Sequence, residues 1–144
     1  MPFLLFLAVL GGVALAVQAP LNAALARSIS SPVAAAAVSF GGGFIILLIL
    51  TLVSSGGQPF AALLKAPLWQ IAGGALGALY VWAIISAVPT LGVVTAIAAL
   101  ILGQVTTALV LDAIGAFGLT VQAITWQRLL AIGLVTAGLV LSRA

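Results

Sequence analysis

The feature that most constrains this chain is a series of long apolar runs separated by short polar breaks. A helix needs about 20 predominantly apolar residues to cross the hydrocarbon of a bilayer. The runs therefore predict an all-α membrane protein, a single unit over residues 1–144 with five transmembrane helices. The predicted spans are 2–26, 32–53, 68–88, 93–114 and 128–143. Residues 60–67 are predicted to form a short interfacial piece, and residues 89–92 a tight break.

The composition leaves no room for a soluble domain beside these spans. The chain is 65% hydrophobic and 3% charged, whereas a soluble domain has about 25% charged residues. The net charge of +3 comes from Arg27, Lys65, Arg128 and Arg143 against Asp112. Four dispersed cations make no basic patch, so nucleic acid is excluded as a partner. The partners we expect are the lipid bilayer, a small-molecule substrate and a second copy of the chain.

Several classes of chemistry are excluded because the chain contains no cysteine and no histidine. Disulfides, thiolate or imidazole catalysis and zinc sites with nitrogen or sulfur ligands all need those residues. One aspartate cannot form the paired carboxylates of a hydrolase. We therefore expect no enzyme activity, no metal and no cofactor.

The distribution of the cations predicts how the chain inserts. With five spans, Arg27 and Arg143 fall on one side of the membrane, and Lys65 and Arg128 on the other. Orientation follows an excess of lysine and arginine in short loops, and here the count is two against two. We predict dual topology and an antiparallel homodimer of ten helices. This is the architecture of inverted-repeat transporters, made from two chains.

The first span carries an unusual polar face. Gln18 and Asn22 are four residues apart and share a helix face, while Pro20 between them frees the carbonyl of Ala16. Two interpretations are open. Either this is a kinked helix whose amides bind neighbouring helices, or the face lines a polar cavity.

Other polar and aromatic side chains are predicted at mid-span. Gln104 lies near the middle of the fourth span, where it either lines a cavity or makes a structural interhelical bond. Mid-membrane Tyr80 and Trp82 need polar partners and can stack on flat or cationic ligands. We predict a neutral, aromatic-walled pocket near the midplane, lined by Gln18, Asn22, Ser39, Tyr80, Trp82 and Gln104.

Asp112, in the last turns of the fourth span, also has two interpretations. It is an interfacial carboxylate paired with Arg128 or with the following loop, or it is a protonatable coupling site.

Two strings of residues resemble a known family. One runs from Gly11-Gly12 through Gln18-x-x-x-Asn22 to Val38-Ser39-Phe40. The other is Gly103-Gln104-x-x-Thr107-Ala-Leu-x-x-Asp112-x-x-Gly115-x-x-Gly118, with Trp126-Gln-Arg128 after it. Over its full length the chain resembles the YdcZ-type small bacterial inner-membrane proteins of the drug/metabolite transporter superfamily. The resemblance implies a multi-pass inner-membrane protein, a five-helix unit consistent with antiparallel dimers, and Gln18, Asn22 and Gln104 as cavity residues.

The function expected from these features is secondary transport or export of small metabolites or drug-like compounds by alternating access, with the pocket at the dimer interface. The small multidrug exporters resemble such a dimer but carry a glutamate in their first helix, which this chain lacks. Two alternatives stay open, a dual-topology passive channel and a non-transporting membrane subunit.

Overall fold

The computed structural model describes residues 2–63 and 65–144, with 85% helix and no strand in those two segments. Seven α-helices follow one another in these described residues. They are α1 (Pro2–Ser28), α2 (Pro32–Ser55), α3 (Gln58–Leu63), α4 (Leu68–Ile71), α5 (Gly73–Leu91), α6 (Val93–Ile114) and α7 (Trp126–Leu141). A short 3₁₀ turn, Ala116–Gly118, follows α6. The prediction of an all-α protein is confirmed at this level.

In the part of the chain that the structure describes, four segments are long and apolar enough to cross a membrane. They are Pro2–Ser28, Pro32–Ser55, Leu68–Leu91, which joins α4 and α5, and Val93–Ile114. The fifth predicted span corresponds to α7, an apolar helix of 16 residues. At 1.5 Å per residue it is about 24 Å long, shorter than the hydrocarbon core of about 30 Å. The structure thus supports four membrane-length segments, and a fifth span remains a prediction.

Two predicted connections differ from the structure. The break expected at residues 89–92 is shorter in the structure, because α5 continues through Pro89 to Leu91. Proline removes one backbone donor, and a membrane helix tolerates this loss two residues before its end. The chain turns only at Gly92, whose φ is 77°. The interfacial piece begins earlier than predicted, with α3, and Leu64 within it lies outside the described residues.

The first compact unit of the chain ends at Thr90, and its helices meet through small side chains. Its buried core consists of Ala26 from α1, Ala35 and Ala36 from α2, and Val81 and Ile85 from α5. In lipid, helices associate by close packing and not by expelling water, so alanines at the contact let the backbones approach. The α1–α2 hairpin is therefore held where its alanines meet.

The second unit, Leu91–Ala144, is a hairpin of α6 and α7 that polar groups join at both ends. Near the start of α6, the Thr95 hydroxyl donates to the carbonyl of Ser142 at 3.1 Å. The Ser142 hydroxyl donates to the Leu139 carbonyl at 2.7 Å. At the other end, Arg128 of α7 contacts Asp112 of α6. Bonds at both ends fix the register of these two antiparallel helices.

Gly115 ends α6 in a conformation that other residues rarely adopt. Its φ is 62°, and a Cβ placed on it would lie 2.7 Å from Val121 Cγ2 and 3.0 Å from the Leu119 carbonyl oxygen. Its N–H bonds to the Asp112 carbonyl at 3.3 Å, and the Gln122 N–H bonds to the same oxygen at 2.9 Å. The glycine lets the loop fold back onto the end of α6.

We predict that Gly115→Ala destabilises the α6–α7 hairpin. The left-handed backbone conformation alone costs a residue with a side chain about 1–2 kcal/mol, and the close contacts add to this cost. Unfolding of the purified chain in detergent micelles measures the loss. Gly133→Ala in α7 is the control, because a Cβ there meets nothing within 4 Å and alanine favours a helix. Equal stability of the two variants would contradict the prediction.

Candidate functional site

A polar cluster lies between α1 and α2. The Gln18 Nε2 donates to the hydroxyl oxygen of Ser39 at 3.2 Å. The Asn22 Nδ2 donates to the same oxygen at 3.1 Å. We call these three residues the amide–serine cluster. One serine of α2 thus holds two amides of α1.

The local sequence explains why these side chains meet. The buried residues of α1 are Ala19, Asn22, Ala23 and Ala26, spaced by three and four residues along one stripe. Their small size lets α2 approach, and Ser39 lies one turn after the buried Ala35. Pro20 remains inside α1, which is a single helix. The stripe that packs the hairpin therefore also places Asn22 against α2.

The amide–serine cluster is neutral and has hydrogen-bonding capacity left. A hydroxyl oxygen has two acceptor lone pairs, and both amide nitrogens use them. Asn22 is only 8% exposed, while Gln18 and Ser39 are half-buried. The amide oxygens of Gln18 and Asn22 have no partner among residues 2–63 and 65–144. The cluster contains the interhelical bonds of the first interpretation and the unused polar atoms that the second requires.

The two aromatic residues of the predicted pocket have separate surroundings. Tyr80 is half-buried and packs against the alanine-rich core, and its hydroxyl has no hydrogen-bond partner in the described part of the chain. Trp82 is 45% exposed. It lines a groove of about 360 Å³ between α2 and α5, together with Phe40. Phe40 in turn covers Gly77, whose Cβ position is 3.2 Å from the ring.

Gln104 belongs to the second unit and is exposed on α6. It stands beside Gly103 and Thr107 on a shallow open surface of that helix. The structure therefore brings Gln18, Asn22 and Ser39 together. A shared pocket with Tyr80, Trp82 and Gln104 remains a prediction.

Asp112 and Arg128 are in contact at the end of the α6–α7 hairpin. The Arg128 Nη1 lies 3.3 Å from Asp112 Oδ2, and both side chains are more than a third exposed. The Arg128 Nη2 also donates to the Gln122 side-chain oxygen at 3.3 Å. An exposed pair of this kind contributes about 0–1 kcal/mol. The geometry fits an interfacial ion pair, while a coupling role for Asp112 remains a prediction.

Sequence reasoning did not single out Gln122 or the Thr95–Ser142 contact. Gln122 lies in the loop, and nothing in the residue pattern shows that it folds back onto Arg128. Hydroxyls in membrane helices most often bond to their own backbone, so Thr95 gave no signal of a partner on α7. In the described residues no group of three or more His, Cys, Asp and Glu side chains could hold a metal ion.

Membrane-length apolar helices with a neutral polar cluster between two of them define a multi-pass membrane protein. A family model described as "Putative inner membrane exporter, YdcZ" matches residues 3–141. The chain belongs to this family, and the predicted resemblance is confirmed. The protein is accordingly located in the inner membrane, and the description of its family is that of a putative exporter. No curated protein and no solved structure gave a significant match.

We predict a measurable coupling between Asn22 and Ser39. Removing the serine hydroxyl leaves a largely buried amide donor without its acceptor. A double-mutant cycle of Asn22→Leu and Ser39→Ala should give a coupling free energy of about 0.6 kcal/mol, with about 1.7 as the upper limit seen for such bonds in membranes. Unfolding in detergent micelles measures it. The control pairs Asn22→Leu with Ser86→Ala, whose hydroxyl bonds to its own helix at Trp82, and no coupling is expected there. A cycle with no coupling for Ser39 would contradict the observed bond.

Proposed function

We propose that the protein is a secondary exporter of small metabolites or drug-like compounds, and that the amide–serine cluster is part of its substrate pocket. The observation that carries the proposal is a pair of amides held inside a membrane hairpin with their oxygens unused. Polar groups at this depth are costly and mark substrate paths in membrane proteins. Membership of an exporter family supports transport as the class of function.

The chemistry of the cluster suggests what it binds. Ser39 accepts one N–H from each amide, which leaves the carbonyl oxygens of Gln18 and Asn22, the second N–H of each amide and the Ser39 hydroxyl hydrogen for a ligand. These groups are uncharged and include both acceptors and donors. They suit an uncharged compound that both donates and accepts hydrogen bonds. The aromatic side chains of Tyr80 and Trp82, which belong to the same compact unit, would favour a flat one.

The proposed assembly is an antiparallel homodimer of two five-span chains working by alternating access. The balanced cations support it, because they give no preference for one orientation. α7 supports a fifth span through the bonds that tie both its ends to α6. Thr95 and Asp112 are 17 residues apart, about 26 Å along α6, so α7 runs beside most of a membrane-length helix. An odd number of spans places the termini on opposite sides.

Gln104 fits this assembly as a residue at the dimer interface. It is adjacent to the midpoint of α6, whose 22 residues run from Val93 to Ile114. A two-fold axis in the membrane plane places this level of one copy beside the same level of the other. Gly103 leaves room there for close approach, since a Cβ on it meets nothing within 4 Å. In this arrangement an exposed polar side chain obtains a protein or substrate partner.

We predict that Asn22→Leu slows export about tenfold while the chain stays folded. Proteoliposomes containing the purified protein are loaded with a metabolite extract, and mass spectrometry follows the compounds that leave them. The wild type should release at least one compound about tenfold faster than Asn22→Leu, because one hydrogen bond to an uncharged ligand group is worth about 1 kcal/mol or more.

The matched control is Ser28→Ala on the same helix, whose hydroxyl bonds to the Ala24 carbonyl and is exposed. It should export like the wild type. Equal release by wild type and Asn22→Leu would contradict the proposal. Unitary currents in planar bilayers would indicate that the protein is a passive channel and not an exporter. Failure of Asn22→Leu to assemble would indicate a structural subunit.

We predict that each molecule carries residues 28 and 144 on the same side of the membrane. The chain has no cysteine, so the double variant Ser28→Cys/Ala144→Cys can be labelled in sealed vesicles with an impermeant maleimide of high mass. Five spans put both sites on one side. With dual topology, about half of the molecules then receive two labels and the rest none, since nothing biases insertion.

Each of the other labelling patterns would contradict a different part of the proposal. If α7 does not cross, every molecule receives a single label whatever its orientation. If every molecule receives two labels, or every molecule receives none, the result agrees with five spans and contradicts dual topology. Detergent-solubilised protein, in which every molecule should take two labels, is the control for reactivity.

A further inference from the structure

A groove on the second unit has an apolar floor and an ion pair at one end. It measures about 270 Å³ and runs between α6 and α7. The residues of the stripe on α6 are spaced by three, one and three positions, and so are those of the stripe on α7. The stripes consist of Val105, Ala108, Leu109 and Asp112, and of Arg128, Ala131, Ile132 and Val135. Over seven residues each stripe extends about 10 Å. The short side chains of Ala108 and Ala131 make the depression between the helices.

The charged end of the groove is at the depth of lipid headgroups if α6 crosses the membrane. Asp112 is between eight and nine residues from the midpoint of α6, which is about 13 Å along the helix. The hydrocarbon half-thickness is about 15 Å. The loop that follows is apolar and exposed, with Val121 66% and Ile124 56% accessible, and Trp126 begins α7. Exposed apolar residues and a tryptophan are typical of the membrane interface.

The ion pair leaves both partners able to bind a further group. Arg128 reaches Asp112 through one nitrogen at 3.3 Å and Gln122 through another at 3.3 Å. Close charge-assisted bonds are about 2.7–2.9 Å long, so neither contact is tight. Asp112 Oδ1 and the Arg128 Nε–H have no partner in the described chain. One anionic acceptor and one cationic donor thus lie side by side and are partly exposed.

From this arrangement we infer that the groove binds one phospholipid with a zwitterionic, primary-ammonium headgroup. The headgroup phosphate contacts Arg128, its ammonium donates to Asp112, and one acyl chain lies along Ala108 and Ala131. The opposite charges of this headgroup complement both members of the Asp112–Arg128 ion pair. An anionic headgroup complements only Arg128, and an uncharged ligand complements neither charge. A choline headgroup has no N–H to donate, so the carboxylate selects the primary ammonium. This inference does not depend on the proposed export activity.

The test measures lipid binding to the purified full chain by native mass spectrometry. The probes are phosphatidylethanolamine, phosphatidylcholine and phosphatidylglycerol with identical acyl chains, each added alone. We expect one bound phosphatidylethanolamine with an affinity about tenfold above that for either of the others, as charge-assisted hydrogen bonding allows. Equal binding of all three lipids, or preference for phosphatidylglycerol, would overturn the inference.

Three variants separate the groove from the rest of the surface. Asp112→Asn should bring phosphatidylethanolamine down to the level of phosphatidylcholine. Ala131→Leu fills the groove and leaves the ion pair intact, so it should lower phosphatidylethanolamine binding about tenfold even if Asp112→Asn does not fold. Ala137→Leu is the matched control, an exposed alanine of α7 outside the groove, and should bind like the wild type. If Ala131→Leu leaves lipid binding unchanged, or instead shifts the ratio of monomer to dimer, the groove is not a lipid site.

Discussion

The structure depends above all on one constraint: polar groups in the hydrocarbon of a bilayer have no water with which to form hydrogen bonds. Each backbone group must bond within its own helix, which explains the membrane-length helices and the lack of strands in the described residues. The same constraint acts on side chains. Thr51, Ser86 and Thr136 each return their hydroxyl to the carbonyl four residues earlier in their own helix. Such residues satisfy themselves and need no neighbour.

The other polar side chains within the helices fall into two groups. In the first group, the bond crosses to another helix. Ser39 joins α1 to α2. Two contacts join the α6 and α7 ends of the second hairpin, one between Thr95 and Ser142 and one between Asp112 and Arg128. These bonds hold the two hairpins together. In the second group, polar atoms have no partner in the described chain; Tyr80 and Gln104 belong to it, as do Thr106 and Thr107. A group of this kind in a membrane protein faces a ligand, water or another chain.

Sequence reasoning anticipated the features that depend on chain position and missed those that depend on helix register. The fourth span was predicted with the bounds of α6, because hydrocarbon thickness sets the length of an apolar run. The break was predicted to begin at Pro89, three residues before the turn at Gly92, because the rule that proline ends helices weakens in lipid. Gln18 and Asn22 were recognised from their spacing. Their shared hydrogen bonds to the Ser39 oxygen, however, depend on how α1 and α2 are aligned. No residue pattern contains that alignment, and the same holds for Thr95 and Ser142.

The depth of the amide–serine cluster bears on how an antiparallel pair would work. α1 runs from Pro2 to Ser28, so its midpoint is at Leu15. Gln18 then lies about 4–5 Å from the midpoint and Asn22 about 10 Å, both toward the α1–α2 loop. A two-fold axis in the membrane plane would place the second cluster equally far on the other side. The two clusters of the proposed dimer would thus be displaced toward opposite faces of the membrane. Alternating access in such a pair would combine transfer of the substrate from one cluster to its symmetry mate with a rocking of the two copies that opens only one face of the membrane at a time. Because the two clusters are chemically identical, neither binds more tightly, and direction must come from the gradients across the membrane.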